Sequence, residues 1–137
     1  MKRLTEELLN TVVLAPQAVS TATLTTTGFV DVSGVPEATF LIATGALTKG
    51  KKLTVQLVAS DVAAGTGAVQ IAEQVFTAEE ALTGGAVAAV SYKPVAVNGR
   101  YVGIKFKHDA GSDVSCAVTA MLRQRMIPAD NSWAVNY

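Results

Sequence analysis

At 137 residues the chain fits one domain with one core, and half of it is apolar while only 16% is charged, against roughly 25% in an average soluble domain. Lys plus Arg equals Asp plus Glu at 11 each, so no basic footprint for nucleic acid or an anionic membrane exists, and a surface this poor in charge is kept in water by hydroxyls and amides or covered by a partner. Cys116, the single cysteine, excludes an intramolecular disulfide framework and a cysteine-based zinc site within one chain.

Residues 3–15 carry the only helical pattern, with Leu4, Leu8 and Leu9 on one face and Glu6 and Glu7 elsewhere. Thr11, Val12 and Val13 are poor helix formers, so an extended arm is the alternative, and Pro16 is expected to end the segment. Glu6 and Glu7 interrupt the apolar stretch that a cleaved signal would need, and no apolar run approaches the roughly 18 residues of a membrane span. The expectation is a soluble protein made in a reducing cytoplasm.

From residue 18 the period becomes two. Val19 to Thr27 is rich in β-branched residues, Phe29 to Val32 follows Gly28, and Ser33-Gly34-Val35-Pro36 forms a turn. Ala38 to Ala43 is a nearly continuous apolar run of strand length. Leu53, Val55, Leu57 and Ala59 alternate with Thr54, Gln56, Val58 and Ser60, which marks a strand with one buried face. A short strand or strand pair through Val69, Ile71 and Val75 ends near Phe76 and is followed by a connection in which Glu79-Glu80-Ala81-Leu82 can form a helical turn, and then by a strand over Val87–Tyr92. Asn98-Gly99 is the strongest hairpin signal, since both residues tolerate positive φ. Val102, Ile104 and Phe106 then share a face, and Val114, Cys116, Val118, Ala120 and Leu122 share another on the final strand. Seven or eight strands with no crossover helix between them predict an all-β antiparallel sandwich or jelly roll.

Residues 126–137 have no common period but hold Trp133, the only tryptophan, and Tyr137; disordered tails are poor in aromatics, so this segment is expected to dock, on its own domain or on a neighbour. The organisation is thus an arm at 1–17, a sandwich at 18–125 and a docking tail at 126–137.

Patterns of catalytic or ligand-binding type do not reach their full form. Gly45 to Lys52 has most of the phosphate-loop spacing, but Lys52 stands where a magnesium-binding hydroxyl belongs and a strand follows instead of a helix. His108-Asp109 could orient an imidazole, yet no nucleophile-elbow pattern accompanies it. Glu79-Glu80 and the Asp109, Asp113 pair read as solvated turn carboxylates, and one histidine with one cysteine offers no metal-ligand spacing. Tyr101, Lys105 and Lys107 share a strand face, a weak match to a nucleic-acid platform that exposed snorkelling lysines explain. The expectation is a non-enzymatic protein without cofactor or metal.

Ser60-Asp61, Ser91-Tyr92-Lys93-Pro94, Gly99-Arg100-Tyr101-Val102-Gly103-Ile104 and the final strand running through Arg123 to Pro128 together resemble a group of small tailed-phage virion proteins. The chain is most similar to the capsid cement or decoration proteins of the small jelly-roll type described for Bordetella phages, over residues 20–128. It departs from them in Pro94-Val95-Ala96-Val97-Asn98 and in its aromatic tail. The resemblance implies a homodimer, in preference to a trimer, on the outer surface of a virion, bridging major capsid protein subunits. Met126, Ile127, Trp133 and Tyr137 are the expected residues of one protein contact and Leu4, Leu8 and Leu9 of another. A carbohydrate- or receptor-binding module of a phage tail or fibre is the alternative from a different class.

Overall fold

The computed structural model describes residues 3–124 together with Ala129 and Asn131. A single helical turn, α1 (Leu4–Glu7), leads into β1 (Leu8–Val19), and the chain continues through β2 (Thr25–Thr26), β3 (Val30–Asp31), β4 (Ala38–Thr44), β5 (Lys52–Ser60), β6 (Val69–Thr77) and β7 (Ala86–Tyr92). A 3-10 turn over Ala96–Asn98 precedes β8 (Tyr101–His108) and β9 (Val114–Arg123). Every strand pairing is antiparallel.

One sheet has the order β1-β9-β4-β7; in the other, β2 and β3 both pair with β8, followed by β5 and β6. With β2 and β3 taken as two pieces of one interrupted strand, these are the two four-stranded sheets of a jelly roll. The strands form because alternate side chains find the facing sheet. Phe40 and Ile42 of β4 and Val118 and Ala120 of β9 point inward, and Val55, Val102, Ile104 and Phe106 meet them from the other layer, all essentially without solvent contact. Each large side chain so buried contributes about 1.5–3 kcal/mol relative to exposure.

Several local expectations give way to tertiary pairing. The helical pattern over residues 3–15 survives only in α1; from Leu8 the chain is extended and laddered to β9 along its length, so it is an integral strand, not an appendage. The β-branched Thr11, Val12 and Val13 suit the pleat, and a partner strand is available to take their backbone groups. Pro16 lies within β1 at the second of two register irregularities, between Leu14 and Gln17, where the ladder asks nothing of its missing N–H. The stretch from Val19 to Thr27 is not one strand: β1 ends at Val19, the chain turns through Ala22 at φ 58°, and β2 is two residues long.

Asn98-Gly99 does not make a hairpin. The strands on either side belong to different sheets, β7 beside β4 and β8 beside β5, so the connection crosses between layers. The signal for positive φ was sound at Gly99 alone (φ 125°). Glu79-Glu80-Ala81-Leu82 is not helical either, because Leu82 exchanges both backbone hydrogen bonds with Leu47 (2.8 and 3.1 Å) and closes that end of the core.

Candidate functional site

His108 is buried, at 2% exposure, and both ring nitrogens are occupied by backbone: Nε2 lies 2.7 Å from Val19 O, and Nδ1 accepts the Ala110 N–H at 3.2 Å. This arrangement calls for the proton on Nε2. Asp109 does not orient the ring; its Oδ1 accepts the Lys52 N–H at 2.6 Å. The pair therefore ties the ends of β1, β5 and β8 together. The Gly45–Lys52 segment is held by the Leu47 bridge and by a Gly50 N to Ala78 O bond of 2.8 Å, and runs directly into β5. Cys116 is buried, and burial pushes its thiol pKa up, away from the reactive thiolate.

Of the residues that carry the phage-protein resemblance, Asp61, Pro94, Gly99 and Arg100 line a cleft of ≈ 350 Å³ at one end of the sandwich, together with Val32 and Val35 among others. Ser60, Tyr92, Gly99 and Arg100 have framework tasks around it. The Tyr92 hydroxyl accepts from Val95 N and Asn98 Nδ2, both at 3.1 Å, fixing the crossing between layers. Ser60 Oγ donates to Thr66 O at 2.7 Å and accepts from Val62 N at 3.2 Å, pinning the loop after β5. Gly99 packs on Ser60 so closely that a Cβ would stand 2.9 Å from its carbonyl oxygen. Arg100 forks onto Asp31 through Nε (3.1 Å) and Nη2 (2.7 Å), and its guanidinium centre stands 5.4 Å from the centre of the Tyr101 ring. The hydrogen-bonded Arg100 holds the Asp31 carboxyl below the usual carboxylate range.

A different surface distinguishes the two sheets. On the outer face of the β1-β9-β4-β7 sheet the ladder aligns Asn10–Met121–Thr39–Ser91, then Val12–Thr119–Leu41–Ala89, then Ala117–Ala43–Val87. None of these side chains is charged, and Val12 and Val87 are 62% and 67% exposed. Thr39 and Ser91 satisfy each other's hydroxyls at 2.9 Å. Charge appears at the rim, where Arg123 stands opposite Leu8 and donates its backbone N–H to Glu37 O at 3.0 Å. The outer face of the other sheet is ordinary by comparison: Lys105 and Lys107 stand beside Gln56 and Thr54, and Gln56 donates to Glu73 at 3.2 Å. A broad uncharged face has little to hold water and little to desolvate, so it suits contact with another protein.

Along one side of the sandwich, β6 and β7 leave a groove of ≈ 390 Å³ between them, lined by Val55, Leu57, Gln74, Phe76 and Val90 among others.

Leu4 is exposed at 71%, Leu8 is half-buried opposite Arg123, and Leu9 packs against the protein's own core. Met126, Ile127, Trp133 and Tyr137 lie outside the described residues. The flanking Ala129 and Asn131 meet the N-terminal segment: Ala129 N donates to Glu6 O at 2.7 Å, and the Asn131 carboxamide bonds Thr5 O, Leu8 O and Asn10 N. Leu4, Leu8 and this part of the C-terminal segment thus share one corner beside the uncharged face, where the sequence suggested two separate contacts. The face itself was missed. Its signal lay in the outward partners of each alternating strand, Thr39, Leu41 and Ala43 on β4 and Ala117, Thr119 and Met121 on β9, which carry no charge although one side of the sheet faces solvent.

No family model and no curated protein matches the chain. Among solved structures it is similar to a chain in the structure of infectious bursal disease virus Gx strain, with 8% identity over 93% of this chain and 33% of that one, at a TM-score of 0.49. It is also similar to a Clostridium thermocellum endo-1,4-β-D-xylanase 10B fragment, the CBM22-1–GH10 modules complexed with xylohexaose, with 14% identity over 97% of this chain and 28% of that one, at a TM-score of 0.47. The chain spans a third or less of the length of either.

Proposed function

We propose that this chain is a non-enzymatic virion structural protein that binds the outside of a phage capsid and stabilises contacts between major capsid protein subunits. The observation that carries the reading is the uncharged outer face of the β1-β9-β4-β7 sheet, a rigid plate that a protein partner covers at little desolvation cost. The sequence resemblance supplies the partner, and the framework contacts that Ser60, Tyr92, Gly99 and Arg100 make around the cleft are in keeping with it. Many weak plates on a repeating shell hold by effective concentration, so modest area per copy suffices. Particles stripped of the protein are expected to rupture at a lower temperature or a milder osmotic shock than complete ones, and adding the purified chain back restores them. Equal resistance with and without it would discard the proposal.

The β6/β7 groove favours a second reading, a carbohydrate- or receptor-binding module. Phe76 and Val90 give it an apolar lining while Glu73 and Gln74 give it polar groups, the mix that orients a sugar. Binding on a glycan array that a Phe76→Ala substitution abolishes would favour this reading over the first.

A further inference from the structure

We infer that β7 is a self-pairing edge through which two copies of this chain join their β1-β9-β4-β7 sheets into one continuous sheet. The other edges are obstructed. On β1, the Asn131 carboxamide donates to Leu8 O at 2.7 Å and accepts from Asn10 N at 2.9 Å, filling the slot that a neighbouring strand would take around Leu9. Further along, Gly28 N donates to Val13 O at 2.8 Å, and Pro16 has no N–H to offer. β6 carries Glu73 and skips Ile71 in its register with β5, and β2 and β3 are two residues each. Among the described residues β7 has none of these devices. Ala86-Val87-Ala88-Ala89-Val90-Ser91-Tyr92 keeps unbroken register with β4 and contains no charge, glycine or proline. Sheets blunt such an edge unless it is used.

A second copy fits it by symmetry and by charge. Antiparallel pairing about a twofold axis at Ala89 engages all seven residues, with Ala89 facing its counterpart, Ala88 facing Val90 and Val87 facing Ser91, so neither like charges nor two bulky groups oppose each other. The same rotation carries Lys93, just past the end of β7, to the start of β7 in the other copy, which the connection bearing Glu79 and Glu80 precedes; all three side chains are exposed. Equal numbers of acidic and basic residues leave no net repulsion between copies. The groove beside Val90 and Phe76 opens on this same side, so the joined copies shield it.

Directly opposed residues place their Cβ atoms about 4.5–5.5 Å apart, close to disulfide reach. Mild oxidation of an Ala89→Cys variant is therefore expected to give mostly covalent dimer on non-reducing denaturing gels, while Glu73→Cys on β6 stays single. Cys116 is buried and does not compete. Ala89→Lys sets like charges face to face on the axis and is expected to convert the dimer to a monomer by light scattering, with an unchanged circular dichroism spectrum. A wild-type monomer at high concentration would overturn the inference, as would a dimer that Ala89→Cys fails to trap and Ala89→Lys fails to split. A trapped dimer that ignores capsid shells defeats the capsid reading and leaves the β7 edge standing; a wild-type monomer that binds shells does the reverse.

Discussion

Replacing His108 with alanine is expected to remove about 3–5 kcal/mol of stability. The ring is buried and hydrogen-bonds both Val19 O and Ala110 N. Deleting it removes both hydrogen bonds among residues that are themselves buried, leaving Ala110 N without its partner at about 1–3 kcal/mol, and leaves a hole where the ring stood, at about 2 kcal/mol more. For a chain of this size the loss corresponds to a fall in Tm of roughly 10–20 °C. Urea titration followed by circular dichroism measures it as a lower midpoint at unchanged slope. His108→Phe separates the two contributions, because it restores most of the volume but neither hydrogen bond; it is expected to recover only part of the loss. Asp109→Asn keeps an oxygen for Lys52 N and is expected to cost under about 1 kcal/mol. If His108→Phe were as stable as the natural chain, the ring would not be serving as a hydrogen-bonded strut, and a chemical role for it would have to be reopened.

Gly99→Ala is expected to destabilise the fold by about 2 kcal/mol or more, because φ 125° is strained for any side chain and the new Cβ meets rigid Ser60 backbone; thermal melting checks it. Leu41→Lys, at the centre of the uncharged face, is expected to leave the melting midpoint within about 1 kcal/mol of the natural chain while weakening co-sedimentation with capsid shells about 100-fold, since an unpaired ammonium would be covered. Undiminished co-sedimentation would exclude that face from the contact. The depressed pKa of Asp31 contributes stability that is present above the unfolded carboxyl value, about pH 4, and is lost as pH falls through the lower folded value. Arg100→Ala is expected to return the Asp31 titration toward the ordinary carboxylate range by NMR and to flatten the stability curve in that acid window.

The strands that could be read from the sequence are those with one dry face. Leu53, Val55, Leu57 and Ala59 on β5, Val102, Ile104 and Phe106 on β8, and Val114 to Leu122 on β9 announce themselves because the facing layer leaves no choice of side. What failed was whatever depended on the identity of a neighbour. Thr11 to Val13 become strand because β9 lies alongside, Leu82 is held by Leu47, and Asn98-Gly99 loses its hairpin because β7 already pairs with β4. The uncharged face is of the same kind: Val12, Thr119, Leu41 and Ala89 are a row only once four separate strands are ordered. Leu4 and Leu8 stand out in the sequence by their hydrophobicity alone, but their shared corner with Asn131 depends on contacts more than 120 positions apart along the chain.

Both layers are organised around latecomers. β9 sits between β1 and β4, and β8 lies between the β2/β3 pieces and β5, so each sheet is completed by one of the two strands that come last in the chain order of β1 to β9. A ribosome must therefore release the chain through β8 before one sheet can close and through β9 before the other can, and until then β4 and β5 wait with oily sides uncovered. Such distant pairing predicts leisurely folding, dependence on chaperones during synthesis, and collapse of any truncation that removes β9.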